Sequence, residues 1–308
     1  MTAIVMAQHA GFCFGVKRAV DAIEHALHDT PEVWTIGLPI HNPQEVTRLQ
    51  ALGLRVAASE NDIPSGAKVL IRAHGEPLDV IERLKAKGVN VEDMTCPFVK
   101  KAQDMAAELS RRKYHVVLLG DKNHPEIKGI IGHTINPENV EVVANEDEAH
   151  KISRYNRIAL VSQTTQREER LSQVAGILSA KCSELHVCNT ICKATSERQE
   201  AVRELVRHNN LDGVILIGGK QSANTAKLRD IIATEGKDVL WIEDEQDLAS
   251  NRAWFSNKVR IGIAAGASTP GWLIDKIMVG ASAIGEQSTK ILTFGNVPDH
   301  SAKVVKGV

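Results

Sequence analysis

The sequence has few cysteines, five in 308 residues, and no two of them form a C-x-x-C pair. This absence argues against zinc ribbons and thioredoxin-like dithiols, which use closely spaced cysteine pairs. An odd number of cysteines scattered along a chain is also a poor disulfide framework. The cysteines must therefore be explained by burial, by nucleophilic chemistry or by a metal centre assembled from distant segments.

Long apolar runs and an excess of charge are missing as well. No apolar run approaches the roughly 20 residues of a membrane span, and 37 Lys and Arg residues against 38 Asp and Glu residues leave a net charge of −1. We therefore expect neither a nucleic-acid partner nor a membrane partner. The first segment, MTAIVMAQHA, lacks the basic region and the A-x-A site of a signal peptide, and we expect a cytoplasmic protein.

The nucleotide-binding loops of common ATPases and dehydrogenases are absent. The segment GGKQSANT is glycine-rich, but Gln221 follows Lys220 where a P-loop needs Ser or Thr, and nothing resembles a G-x-G-x-x-G fingerprint. ATP or GTP hydrolysis is therefore not indicated. The glycine-rich backbone with Ser222 and Asn224 is still suited to binding phosphate oxygens.

What the sequence does contain is a regular alternation of apolar, β-branched runs with helical patterns. This alternation predicts an α/β fold with mainly parallel sheets, and the length suits two or three domains. The predicted strands lie at the starts of the segments AIVMAQHAGFC, VWTIGLPIHN, KVLIRAHGEP, VNVEDMTCP, HVVLLGDKNHPE, RIALVSQTTQ, ELHVCNTIC, GVILIGGKQSANT, DVLWIED and VRIGIAAGASTP.

Residues able to bind a ligand follow most of these runs. Ligands of parallel α/β sheets bind beyond the carboxyl ends of the strands, so these residues favour several modules that face one polar cavity. Any single residue has an ordinary explanation: His74 could be a surface histidine at a helix start, and the negative charge of Glu126 could simply interact favourably with a helix dipole. The candidates are His41, His74, Cys96, His124, Glu126, Thr164, Thr165, Cys192, Ser222, Asn224 and Ser268.

Three of the cysteines end predicted strands at nearly equal intervals. Cys13, Cys96 and Cys192 could each contribute one ligand from one module, and the Cys-Pro at Cys96 occurs in some iron–sulfur ligand runs. Three unrelated buried thiols would give the same spacing, and Cys13 alone is best explained as a small buried hydrophobe. We interpret Cys182 and Cys188 as structural.

Nine motifs in order resemble those of one family, the LytB family of 4-hydroxy-3-methylbut-2-enyl diphosphate reductases. These enzymes complete the non-mevalonate pathway of isoprene biosynthesis. The resemblance runs from about residue 4 to about residue 280, and its motifs are AGFCFGVKRAV, IHNPQEV, RAHG, TCPFV, NHPEIKG, SQTTQ, NTICKATSERQEA, GGKQSAN and AGASTP.

The resemblance implies three small α/β domains in a pseudo-threefold trefoil around a central iron–sulfur cluster. It implies a 4Fe–4S cluster held by Cys13, Cys96 and Cys192, with a fourth iron left open. It also implies that the N-terminal strand packs with the third domain. The expected domains are 14–96, 97–191, and 192–282 together with 1–13, followed by a C-terminal tail, 283–308, that packs as an extended arm or remains loose.

The resemblance further implies residue roles. Glu126 would supply a proton through the hydroxyl of Thr164, so that water leaves an allylic diphosphate and isopentenyl and dimethylallyl diphosphate form. A one-electron donor protein such as ferredoxin or flavodoxin would supply the electrons. The substrate-binding residues would be His41, His74, His124, Thr165, Ser222, Asn224 and Ser268.

This chain also departs from the family pattern at three positions. Ala223 replaces a small residue, Ser or Gly, and loses a hydroxyl contact where relatives have Ser; Glu197 places a carboxylate near the expected pocket; Gly271 weakens a helix start. Two other functions stay open on the sequence: an iron–sulfur redox or oxygen sensor without enzymatic activity, and an α/β protein that binds a phosphate ligand. The sensor needs no proton path from Glu126.

Overall fold

The computed structural model describes residues 3–284 and the strand at 291–293, and every strand pairing in it is parallel. The strands form three sheets, and helices connect them. The strands are β1 Ala3–Met6, β2 Val33–Ile36, β3 Leu54–Ala57, β4 Lys68–Ile71, β5 Asn90–Asp93, β6 His115–Leu119, β7 Val140–Val143, β8 Tyr155–Ser162, β9 Cys182–Cys188, β10 Gly213–Ile217, β11 Val239–Ile242, β12 Arg260–Ala265 and β13 Ile291–Thr293.

The helices complete repeated strand–helix units. Their cores are apolar residues at helical spacing, as in the first helix, which buries Ala19, Ile23 and Ala26. The helices are α1 Phe14–Asp29, α2 Pro43–Ala51, α3 Leu78–Ala86, α4 Pro97–Arg111, α5 Pro125–Ile131, α6 Glu146–Lys151, α7 Glu168–Ser179, α8 Lys193–His208, α9 Ala223–Thr234, α10 Glu245–Ser250 and α11 Gly271–Ile284. Among the described helices, none combines the length and the apolar character needed to cross a membrane.

The three sheets repeat one strand order. The first is β3-β2-β4-β5, the second is β7-β6-β8-β9, and the third is β11-β10-β12-β1 with β13 added at its edge. The strand β1 thus takes the fourth place of the third sheet, where Ile4 pairs with Ile261 of β12. Each sheet is covered on both faces by apolar side chains, which explains why its strands read as short apolar runs.

All of the predicted strand segments form strands, and the α/β class is confirmed. Three strands, β3, β7 and β13, were not predicted. The last of them lies in the segment expected to be a tail; apart from the end of α11, the rest of 283–308 lies outside the described residues. We propose to keep the domain boundaries 14–96, 97–191 and 192–282 with 1–13, because each part encloses the four repeated strands of one sheet.

Candidate active site

The carboxyl ends of the three sheets surround one cavity, and all of the predicted site residues line it. Its empty space, including the opening to solvent, is about 740 Å³. Each of these residues follows the end of a strand, where loops of parallel sheets present side chains and free backbone N–H groups. They are Cys13, His41, His74, Cys96, His124, Glu126, Thr164, Thr165, Cys192, Ser222, Asn224 and Ser268.

The three cysteines of the cavity occupy equivalent places in the three sheets. Each is the N-cap residue of a long helix, α1, α4 or α8, and none of the thiols caps its helix with a hydrogen bond. Each backbone N–H donates to a carbonyl just beyond the neighbouring strand: Cys13 to Ala267 (3.0 Å), Cys96 to Ala73 (3.0 Å), and Cys192 to the carbonyl of Thr164 (3.0 Å). The repeated fold therefore places three free thiols at one end of the cavity, which we call the thiol end (Cys13, Cys96 and Cys192).

Burial and the helix termini act on these thiols in opposite directions. Burial raises the pKa of the Cys96 thiol, and backbone N–H groups of Phe98 and Val99 oppose that rise. Burial likewise raises the pKa of the Cys192 thiol, against hydrogen bonds from Thr195, whose Oγ1 lies 2.9 Å from Sγ. Thiols that are buried next to N–H donors are suited to becoming thiolates once a cation binds them.

The glycines around Cys13 have two separate roles. A Cβ at Gly15 would lie 2.6 Å from Sγ of Cys96, so the bare glycine lets α1 begin beside the second thiol. Gly11 instead adopts a φ of +102°, which side chains rarely allow. Phe14 is 63% exposed, whereas Phe12 packs against the core of the first sheet.

The three thiols do not lie close enough together to share one metal ion. A sulfur–metal bond of about 2.3 Å requires the sulfurs on one ion to lie within about 4.6 Å of each other. Within residues 3–284, the one group of three metal-ligating side chains whose ligand atoms lie within 4.8 Å of one another is formed by histidines. Three thiols that line one cavity without meeting at a single point are suited to a group of several metal ions, such as an iron–sulfur cluster.

At the other end of the cavity, His41, His74 and His124 form the imidazole end. The centroid of the His41 ring lies 4.6 Å from that of His74 and 5.4 Å from that of His124. Both ring nitrogens of His41 and Nδ1 of His74 are buried without a hydrogen-bond partner among the described residues. Buried polar atoms are almost always paired in folded proteins, so these nitrogens indicate a polar ligand.

Burial favours the neutral form of the three imidazoles. Burial, helped by the charge of Arg72, lowers the pKa of His41 to about 4, and burial lowers that of His124 to about 4 as well. Burial and its two histidine neighbours hold the pKa of His74 well below its ordinary value. Nδ1 of His124 accepts from the backbone N–H of Glu126 (3.1 Å), so the neutral ring carries its proton on Nε2 as a donor.

The third sheet completes this end with the N-terminus of α9. Ser222 caps the helix by accepting from the N–H of Thr225 (3.3 Å), which leaves the first N–H groups, at Ala223 and Asn224, without intrahelical partners. Both polar side-chain atoms of Asn224 are buried and unpartnered within the described part of the chain. The hydroxyl of Ser268 donates to the carbonyl of His41 (3.1 Å), which joins the third sheet to the first. These donors suit an anion such as a phosphate.

Between the two ends lies a buried carboxyl, Glu126, which is 2% exposed. Its Oε1 accepts from the backbone N–H of Thr164 (2.6 Å) and its Oε2 from the hydroxyl of the same residue (2.8 Å). Burial raises the pKa of Glu126 to about 7, against the lowering effect of these hydrogen bonds. A carboxyl with a pKa near neutrality and a hydroxyl partner is equipped to donate a proton.

Sequence reasoning did not predict three residues that act on the site residues. Thr195 contacts Cys192, Arg72 acts on the imidazoles, and Arg198 lies behind the thiol end. The signals were weak because charged residues in a strand–loop–helix pattern are usually solvated.

Two of the noted departures have simple outcomes. The carboxylate of Glu197 pairs with Lys193 (3.3 Å) and is not among the residues that line the cavity, so it does not place a charge in the pocket. Gly271 is the first residue of α11, and the helix forms over 14 residues despite it.

Comparison with known proteins places this site in a family. The model of a family described as LytB protein matches residues 4–280. The 4-hydroxy-3-methylbut-2-enyl diphosphate reductase of Aquifex aeolicus (strain VF5) is 42% identical over 280 residues, which is 90% of this chain and 95% of that protein. The protein of the same name from Helicobacter pylori (strain P12) is 40% identical over 282 residues, 91% of this chain and 99% of its own.

Solved structures agree with these matches. The structure of an (E)-4-hydroxy-3-methyl-but-2-enyl diphosphate reductase, described as the terminal enzyme of the non-mevalonate pathway, is 42% identical with a TM-score of 0.65, and the match covers 92% of this chain and 100% of that one. The reductase of Plasmodium falciparum matches 97% of this chain and 95% of its own with a TM-score of 0.86 at 24% identity, which shows the shared fold.

Proposed function

The chain belongs to the LytB family, and from this premise we propose that it reduces 4-hydroxy-3-methylbut-2-enyl diphosphate to isopentenyl and dimethylallyl diphosphate. The substrate accepts two electrons and two protons, its allylic C–O bond breaks, and its hydroxyl leaves as water. The observation that carries this proposal is the buried pair of Glu126 and Thr164, placed between three thiols and three imidazoles. The reaction requires a proton donor between the group that supplies electrons, at the thiol end, and the residues that bind the diphosphate, at the imidazole end.

The thiol end would hold the redox group. Cys13, Cys96 and Cys192 would ligate a 4Fe–4S cluster through three of its irons and leave the fourth open. When bound, such a cluster supplies electrons one at a time and a Lewis-acidic iron. The neighbouring helix N-termini favour the thiolate form that ligation needs.

The imidazole end would bind the diphosphate. Nε2–H of His124 donates to it, and the unpartnered nitrogens of His41 and His74 do the same once they carry protons. Ser222, the N-terminus of α9 and the amide of Asn224 add uncharged donors. The anion is thus held without a lysine- or arginine-lined cleft, in keeping with the balanced net charge of the chain.

Glu126 would hold the proton that the leaving hydroxyl needs. The hydroxyl of Thr164 donates to Oε2 of Glu126 when this carboxyl is ionised. When Glu126 is protonated, its O–H would donate to Oγ1 of Thr164 instead, and the Thr164 O–H would then donate to the substrate oxygen. Burial keeps a fraction of Glu126 protonated at pH 7, because its pKa is about 7. Water therefore leaves in place of hydroxide, which is a much poorer leaving group.

The electron donor is a one-electron carrier, and we propose a ferredoxin or a flavodoxin. The reaction belongs to the cytoplasm, where such carriers and the diphosphate occur together. Binding to nucleic acid or to a membrane has no part in the proposal, since the chain has a net charge of −1.

The test is turnover by the anaerobically purified full chain. Given dithionite with methyl viologen and the hydroxylated allylic diphosphate, the protein should release isopentenyl and dimethylallyl diphosphate, identified by mass spectrometry. A protein with an intact cluster and no products would instead favour the redox or oxygen sensor. A colourless, iron-free protein that still binds pyrophosphate would favour the simple phosphate-binding protein, and both outcomes would refute the reductase.

A further inference from the structure

A buried arginine without a carboxylate partner lies directly behind the thiol end. Arg198 is on α8, less than two helical turns after Cys192, and is 6% exposed. Its Nη1 donates to the carbonyl of Ala194 (2.9 Å) and its Nη2 to the carbonyl of Gly11 (2.8 Å). Its Nε is buried with no hydrogen-bond partner among the described residues. Both hydrogen bonds of this guanidinium to the described residues therefore end on uncharged backbone oxygens.

A charge in this position needs a counter-charge. Burying a guanidinium without compensation costs several kcal/mol, and carbonyl oxygens supply only part of what water supplied. The acidic groups that act on Arg198 are Cys13 first, Cys192 second and Glu197 third. Glu197 is the weakest of them, and its side chain is 37% exposed and paired with Lys193. Cys13 and Cys192 are therefore better placed than Glu197 to supply the counter-charge, once they are thiolates.

We propose that Arg198 is a positioning residue that sets a fixed positive charge behind Cys13 and Cys192 and makes a cluster held by them easier to reduce. This inference rests on the proposed function. Reduction adds one negative charge to the cluster, and a nearby cation in a water-poor interior stabilises the reduced state more than the oxidised state.

The forked shape of the guanidinium gives Arg198 a second task. One arm holds α8 through Ala194, and the other reaches a loop 187 residues earlier in the sequence, two residues before Cys13. A lysine keeps the charge but cannot make both bonds in the same fixed geometry. Lysine and methionine replacements therefore separate the charge of Arg198 from its clamping role.

The experiment measures the midpoint potential of the reconstituted cluster in the full chain, by anaerobic titration followed by EPR and absorbance. The variants are Arg198→Met and Arg198→Lys, and the control is Arg207→Met, an exposed arginine of the same helix that pairs with Glu235. We expect the one-electron reduction constant of Arg198→Met to fall at least tenfold, a shift of about 59 mV to lower potential. The lysine variant and the control should stay within threefold of the unmodified chain.

The potentials and the iron contents of these proteins separate the inference about Arg198 from the reductase proposal. Equal potentials in the unmodified chain and in Arg198→Met would overturn the inference and leave the reductase proposal intact, whereas an unmodified chain without iron would overturn the proposed function. If Arg198→Met retains no cluster, Arg198→Gln replaces it, since its amide still donates a hydrogen bond without a charge. If the lysine variant holds the cluster and both neutral variants lose it, the positive charge of Arg198 is what the cluster needs, which supports the inference. If all three variants lose the cluster, Arg198 acts only by holding Ala194 and Gly11 together, which refutes the redox role.

Discussion

Burial shifts pKa values in opposite directions at the thiol end and the imidazole end of the cavity. Burial raises the pKa of the acids Cys96 and Cys192 and lowers the pKa of the bases His41 and His124. Both shifts favour the uncharged form, since burial penalises charge of either sign. Burial therefore favours the neutral thiol at Cys96 and Cys192 and the neutral imidazole at His41 and His124.

The shifted pKa values of the cavity residues also determine how the stability of the fold depends on pH. The lowered pKa of His41 and His124, from 6.5 to about 4, means that the unfolded chain binds more protons in that window, so stability is lost as pH falls through it. The raised pKa of Glu126, from 4.5 to about 7, has the opposite sign: its contribution is lost as pH rises from 4.5 through 7. The two contributions oppose each other around pH 5–6.

The largest expected effect comes from breaking the thiol end. Cys13→Ser should lose the cluster and with it all measurable reductase activity, because an alcohol is a poor replacement for a thiolate on iron. Cys182→Ser, at the start of β9 and away from the cavity, should keep both. Iron content and visible absorbance after anaerobic purification measure the outcome. Full iron occupancy in Cys13→Ser would contradict the assignment of this thiol.

The next effect comes from removing the proton between the two ends. Glu126→Gln should lower kcat by about 10²- to 10⁴-fold, the usual contribution of a general acid, while the cluster spectrum is unchanged. In the unmodified enzyme kcat/KM should fall as pH rises above about 7, where Glu126 loses its proton, and this fall should vanish in the variant. The matched control is Glu197→Gln, a carboxylate outside the cavity. Unchanged turnover in Glu126→Gln would contradict the assignment of this carboxyl as the proton donor.

A smaller effect is expected at the imidazole end. His41→Asn should weaken binding of inorganic pyrophosphate about 10- to 100-fold, as expected for a charge-assisted hydrogen bond of about 1.5–3 kcal/mol. The bound anion raises the pKa of His41 from about 4, so binding near pH 6 should take up protons and weaken as pH rises.

Calorimetry in two buffers of different ionisation enthalpy measures this proton uptake. The uptake should be smaller in His41→Asn and unchanged in His25→Asn, an exposed histidine of α1. Binding without any proton uptake in the unmodified chain would show that the imidazoles stay neutral with the ligand in place.

The smallest effect is expected from adding one hydroxyl at the imidazole end, which leaves the thiol end as it is. Ala223→Ser adds a hydroxyl at the first position of α9, beside the imidazole end. One added hydrogen bond of about 1 kcal/mol should lower KM about fivefold and leave kcat and the cluster potential unchanged. Steady-state kinetics measures both constants. An unchanged KM would mean that the diphosphate does not reach this helix terminus.

The fold was predictable where strands are buried on both faces. The runs HVVLL and GVILI stand out because four of the five residues of the first run and all five of the second are buried. The strands β3 and β7 escaped because they are edge strands in which Arg55 and Glu141 interrupt the apolar pattern. Their short length and partial exposure leave no clear signal in the sequence.

The site residues were predictable as candidates because they follow strand ends, but their partners were not. Arg198 lies in the segment ATSERQEAVREL, where a charged residue ordinarily faces solvent. Its burial depends on the loop before Cys13, which arrives from another part of the chain. The position of Gly15 against Cys96 likewise follows from the packing of α1 on the first sheet, which local sequence cannot report.

The place of β1 in the third sheet sets an order on biosynthesis. A ribosome delivers β1 first and β12 about 250 residues later, yet the two strands pair along their length. The sheets that carry Cys96 and Cys192 can form while synthesis continues, but the loop of Cys13 has no partner strand until Arg260–Ala265 has emerged. The three cysteines therefore come together only after Arg260–Ala265 has been made, and a chain that stops before this strand leaves the loop of Cys13 without its partner strand.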